Sequence, residues 1–177
     1  MISSKNKFSA IILIAGLFLI QACSYTFTGA SVPPHLNTIY IMNAKDKTGS
    51  GIAFMSQYFT DKIIDNFVSD NNLQYIQNPK ADAKLDCTIS SMSDRPVSIS
   101  NINSANLSGV TDNTREITIN IKVVYRDQVK RKTLINKTFS NKASFKTDNY
   151  EENREEAIKE VLNKLAEDIL LGAVSNW

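Results

Sequence analysis

Between Thr114 and Asp127 the side chains alternate. Ile117, Ile119, Ile121, Val123 and Tyr125 fall on one side, and Glu116, Thr118, Asn120 and Lys122 on the other. A period of two over that length is a strand with one buried and one wet face. At ~3.3 Å per residue it reaches about 46 Å, far beyond the usual strand. Residues 128–132 form a polar turn, and residues 133–145 return as the partner strand. The apolar side of so long a hairpin has to be covered by a second layer.

The cover is legible on either side of it. Ile52, Met55, Phe59, Ile63 and Phe67 recur every three or four residues, which is one face of a helix. Ser50 or Gly51 is positioned to cap it, and Asp70-Asn71-Asn72 to end it. Short strands at 38–43 and 73–76 flank this helix, as in a right-handed crossover between parallel strands. Ala83, Leu85, Cys87 and Ile89 mark another half-buried strand, running toward Asp94-Arg95-Pro96 and on toward Val97 and Ile99. Residues 101–113 are rich in Asn, Ser and Gly and read as a mobile connection without Lys or Arg. A last helix begins at a capping box of Asp148 and Glu151. It carries Ile158, Val161, Leu162, Leu165, Ile169 and Leu170 on its apolar face, and Gly172 is its expected stop. The expected fold class is α+β: a two-layer sandwich, with a mixed four- to five-stranded sheet of long strands and two helices packed on one face. The other sheet face, mostly Thr, Ser, Asn and Lys, is left for solvent or a polar partner.

Ahead of this domain lies a different kind of segment. Lys5 and Lys7 precede an apolar run over residues 8–20, followed by Ile20-Gln21-Ala22-Cys23. An aliphatic residue three before a cysteine, with a small residue just before it, is what a lipoprotein signal peptidase reads. As a helix, residues 8–22 reach about 22 Å, short of the ~30 Å hydrocarbon core, so the run reads as a leader rather than a membrane span. The expected organisation is a signal peptide at 1–22, a lipidated tether at 23–37 and one domain at 38–177. Cys23 would carry a diacylglycerol thioether and, on its freed amine, a fatty acid such as palmitate. One acyl chain holds a protein only marginally, whereas several make the tether durable. Ser24, where an Asp would favour the inner membrane, directs the chain to the periplasmic side of the outer membrane.

Charge and chemistry narrow the function further. Lys5 and Lys7 belong to the leader, so 18 of the 20 basic residues remain against 18 acidic ones. The mature chain is neutral overall and lacks the basic excess of a nucleic-acid binder. With Cys23 lipidated, Cys87 is the one remaining thiol and reads as a buried apolar residue. His35 is the single histidine and sits in the tether, which leaves no Ser-His-Asp or zinc set. Thr48-Gly49-Ser50-Gly51 lacks the lysine and spacing of a phosphate loop. No catalytic residue, metal or cofactor is expected. The candidate anion-binding residues are Arg95, near the end of its strand in the Ser93-Asp94-Arg95-Pro96 turn, and Lys130, Arg131 and Lys132 in the hairpin turn.

The first mature residues, Cys23-Ser24-Tyr25-Thr26-Phe27-Thr28-Gly29-Ala30-Ser31-Val32-Pro33-Pro34-His35-Leu36-Asn37-Thr38-Ile39, resemble the LptE family of lipopolysaccharide-assembly lipoproteins, in its Bacteroidetes form. Asp94-Arg95-Pro96 and Tyr125-Arg126-Asp127-Gln128-Val129-Lys130-Arg131-Lys132 extend the resemblance, as does the order of elements. The resemblance implies a plug inside the lumen of the LptD β-barrel, helping it fold and binding lipopolysaccharide on its way to the outer leaflet. It implies that Arg95, Lys130, Arg131 and Lys132 contact the lipopolysaccharide. Two other classes stay open. One is a periplasmic lipoprotein of the curli-secretion or cell-wall-synthase-activator type, of whose turn motif residues 43–51 are a loose version. The other is a lipid-anchored hydrolase dependent on His35.

Overall fold

The structure is a computed structural model that describes residues 33–70, 73–97 and 113–174. The leader, Cys23 and all of the 101–113 connection but its last residue lie outside the described residues, as does Ile99. In chain order the elements are β1 (Thr38–Ile41), β2 (Lys45–Asp46), α1 (Met55–Asp70), β3 (Gln74–Tyr75), β4 (Ala83–Pro96), β5 (Thr114–Asp127), β6 (Lys132–Lys146) and α2 (Tyr150–Val174).

One mixed sheet runs β3-β1-β4-β5-β6, with β2 pairing β4 off this path. β1 is parallel to both β3 and β4, and the three long strands are antiparallel. The β1-α1-β3 crossover therefore forms as its spacing predicts. The sheet has six strands rather than four to five, because the two-residue β2 adds itself to β4.

Register explains the core. Leu85 lies opposite Tyr125, Cys87 opposite Val123 and Ile89 opposite Ile121, so the alternating apolar rows of β4 and β5 merge into one surface. Ile135, Ala143 and Phe145 extend it across β6. Met55, Phe59, Ile63 and Phe67 of α1 cover it together with Ile158, Val161, Leu162, Leu165 and Ile169 of α2. Burial of these side chains at about 1.5–3 kcal/mol each is the main force holding the two layers together. The two helices also meet each other, and Tyr58 Oη donates to Asn163 Oδ1 at 3.1 Å.

Three local details depart from the sequence expectation. The register of β4 shifts between Ile89 and Ser91. Such a bulge exchanges the faces of the residues beyond it. Met92 and Asp94 stand opposite Ile119 and Ile117 on the covered side, while Ser91, Ser93 and Arg95 join the open side. Arg95 is thus the penultimate residue of the strand, not a turn residue. Gly172 does not stop α2, which continues to Val174. It is buried, and a Cβ there would lie 2.9 Å from Cζ of Phe139, so the glycine permits close approach of helix to sheet. At the helix starts, Gly51 has φ of 71°, a left-handed conformation outside the helical region, and α1 begins only at Met55. The Asp148 carboxylate accepts from the Asn153 side-chain amide at 3.0 Å in place of the expected capping box.

Candidate binding surfaces at the two ends of the sheet

β4 and β5 run antiparallel, with Ala83 opposite Asp127 at one end and Arg95 opposite Glu116 at the other. The Lys130-Arg131-Lys132 turn follows Asp127, so it and Arg95 occupy opposite ends of the sheet. At ~3.3 Å per residue they stand about 36 Å apart. The four sequence-predicted residues therefore form two surfaces, not one.

The turn end is braced by two carboxylates. Asp127 is 2% exposed. One of its oxygens accepts the Lys130 N–H at 2.8 Å and the other bonds His35 Nε2 at 2.6 Å. Burial alone would raise the Asp127 carboxyl. The hydrogen bonds from the Lys130 backbone and from His35 outweigh it and hold the pKa below the ordinary carboxylate value. Asp82 accepts from the Asn37 N–H, the Thr38 N–H and the Thr38 hydroxyl, at 3.0, 3.0 and 2.9 Å. Its pKa is also lowered, chiefly by the Asn37 N–H. Gln128 completes the brace, its amide nitrogen donating to the carbonyls of Pro79 and Ala81 at 2.9 and 2.7 Å. The segment entering β1, the β3–β4 loop and the basic turn are thus joined at one corner.

On this frame Lys130, Arg131 and Lys132 are all exposed. Arg131 has φ of 54°, a left-handed conformation that Gly or Asn adopts at less cost. Lys84 and Arg126 are cross-strand partners on the open face and continue the basic surface away from the turn. Lys84 Nζ lies 6.0 Å from the centroid of the Tyr40 ring. Sequence reasoning missed both cations, because only the β4–β5 register makes them neighbours.

At the other end, Arg95 is exposed beside Glu116. Asp94, turned to the covered side by the bulge, gathers the remaining polar groups. It accepts from Arg115 Nε at 2.7 Å, Arg154 Nε at 3.2 Å and Tyr150 Oη at 2.9 Å. Burial would raise its pKa, but the bonds from Arg115 and Tyr150 bring it below the usual range. Arg115 and Arg154 are engaged by Asp94, and Arg95 presents its guanidinium outward.

Cys87 is 1% exposed in the core, and burial pushes its thiol up to about 12, so it remains protonated at neutral pH. His35 is held by Asp127. Among the described residues no group of three or more His, Cys, Asp or Glu is placed to hold a metal ion. None of the described helices is long and apolar enough to cross a membrane.

The family model for LptE, lipopolysaccharide-assembly, matches residues 36–171. The chain belongs to the LptE family. The match spans the whole sheet and nearly all of α2, including Asp94-Arg95-Pro96 and the hairpin turn, and it bears out the family resemblance; the mature N-terminal motif before Leu36 lies outside it. No curated protein matches the sequence. Among solved structures, a Xanthomonas campestris protein of the DUF330 family is similar with a TM-score of 0.54 at 8% identity, over 82% of this chain and 90% of that one. Rare lipoprotein B from Shewanella oneidensis gives 0.51 at 11% identity, over 77% and 94%. Lipoprotein B from Nitrosomonas europaea gives 0.51 at 14% identity, over 79% and 82%. At such identities the likeness is one of fold. The two sheet ends of this chain present exposed cations, Arg95 on β4 at one end and the Lys130-Arg131-Lys132 turn at the other.

Proposed function

We propose that this LptE-family chain is an outer-membrane lipoprotein, anchored through acylated Cys23. In this reading it plugs and helps assemble an LptD-type β-barrel and binds lipopolysaccharide during insertion into the outer leaflet. Family membership over residues 36–171 is the observation that carries the reading. The lipobox at Ile20-Gln21-Ala22-Cys23 supports the anchor, and the open polar face of the sheet suits a polar barrel lumen.

The basic turn of Lys130, Arg131 and Lys132 is the main lipopolysaccharide contact in this account, with Arg95 a second contact at the far end. Arg131 occupies a left-handed position at a conformational cost, which is consistent with a guanidinium kept there for its chemistry. The test is binding of purified protein to lipopolysaccharide micelles. Lys130→Ala with Arg131→Ala and Lys132→Ala should weaken binding at least tenfold, and Arg95→Ala by a smaller factor. Unchanged binding in a folded triple variant refutes the assignment.

A further inference from the structure

The mature chain is electrically neutral, yet its charges are sorted by face. On the open face of the sheet the register brings together Lys84, Arg95, Lys122, Arg126, Lys142 and Lys146, with Asp86 and Glu116 as the acidic residues among them. Asp86 lies 3.8 Å from Lys45, and Glu116 lies 2.9 Å from Lys142. Arg95, Lys122, Arg126 and Lys146 make no ion pair among the described residues. Between them runs a polar row: Ser91, Asn120 and Ser140 are aligned across three strands, and Asn120 Nδ2 donates to Ser91 Oγ at 2.8 Å.

The helical layer is the reverse. Glu152, Glu156 and Glu167 of α2 and Asp61 and Asp65 of α1 are exposed, while Lys159 and Lys164 are tied to Glu155 and Glu160 at 2.6 and 2.5 Å. Such sorting gives the molecule a field directed from sheet to helices.

We infer that the open sheet face is a docking surface for an acidic protein wall, and that this wall lines the barrel in which the chain is proposed to sit. The inference rests on that proposed function and adds the orientation of the plug and the sign of the surface it meets. The cations are spread along about 36 Å of strand rather than converging on one point, and hydroxyl and amide groups separate them. Three strands of that length offer on the order of 500 Å² before side chains and the short strands add to it, close to one partner's share of a standard interface. Dispersed cations over an extended plane match dispersed carboxylates on another plane.

The test uses the full-length lipoprotein in outer membranes, with a photo-crosslinking amino acid placed in turn at Thr118, Ser140, Glu160 and Glu167. Adducts to the barrel from positions 118 and 140, at least fivefold above those from 160 and 167, are expected. Charge reversal by Lys122→Glu, Arg126→Glu and Lys146→Glu should reduce barrel recovery at least tenfold. Glu156→Lys with Glu167→Lys should change it less than twofold. Circular dichroism of each purified variant separates lost docking from lost folding, and the crosslinks do not depend on the charge variants. Adducts arising chiefly from the helical layer, or undiminished recovery of the folded sheet variant, overturn the inference while leaving the plug intact. Sheet variants that keep the barrel but no longer bind vesicles containing anionic phospholipid assign the face to lipid and also overturn it. A wild-type chain that recovers no barrel refutes the proposed function itself.

Discussion

Removing the Asp127 carboxylate tests whether the basic turn is held by a designed brace or simply follows its strands. Asp127→Ala deprives the Lys130 N–H and His35 of their shared acceptor. Hydrogen bonds to a charged group contribute about 1.5–3 kcal/mol each. The His35 side chain is 24% exposed, so water recovers part of its share. The expected cost is about 2–4 kcal/mol for Asp127→Ala and about 1–2 kcal/mol for His35→Ala. Because the two residues act through one bond, the double variant should lose about 1–2 kcal/mol less than the sum. The assay is urea unfolding of residues 24–177 followed by circular dichroism. The pH dependence has a definite sign. The folded pKa of Asp127 is depressed, so its contribution is complete above the unfolded value of about 3.9. It is lost as the pH falls through the lower folded value. Additive single effects, or a difference between wild type and Asp127→Ala that persists unchanged into strong acid, would refute the reasoning.

Other consequences are equally concrete. Gly172→Leu drives a side chain into the Phe139 ring and should cost about 2 kcal/mol, with Phe139→Ala in the same chain recovering part of it; paired melting curves read this out. Arg131→Gly relieves a left-handed residue and should stabilise the fold by about 0.5–1 kcal/mol while weakening lipopolysaccharide binding, which separates stability from function in one variant. Asp94→Asn removes the charge that Arg115 and Arg154 share, and should lower the unfolding midpoint while leaving the Lys130 amide shift in NMR spectra unmoved. Cys23→Ala should abolish fatty-acid labelling and release the chain from the membrane fraction.

The long strands and both helices could be read in the sequence because their apolar residues recur with periods near two or about 3.6. Ile117 to Tyr125 and Met55 to Phe67 are the plainest cases. The bulge after Ile89 leaves a single apolar marker in the sequence, Met92, which stands three rather than two positions after Ile89 in a run otherwise of serines. That single shift decides on which face Arg95 and Asp94 lie. Gly172 looked like a helix end because glycine commonly is one. Its close approach to Phe139 depends on tertiary packing. The basic turn was visible as three adjacent cations, but Lys84 and Arg126 join it only through cross-strand register. The pairing of His35 with Asp127 spans 92 positions and carries no local signature.

The most direct test is to extract the tagged, full-length lipoprotein from outer membranes in mild detergent and identify by mass what elutes with it. The account predicts an acylated chain beginning at Cys23 that elutes in stoichiometric complex with one large β-barrel. A chain that elutes alone, or that retains its first 22 residues without fatty acid, contradicts it.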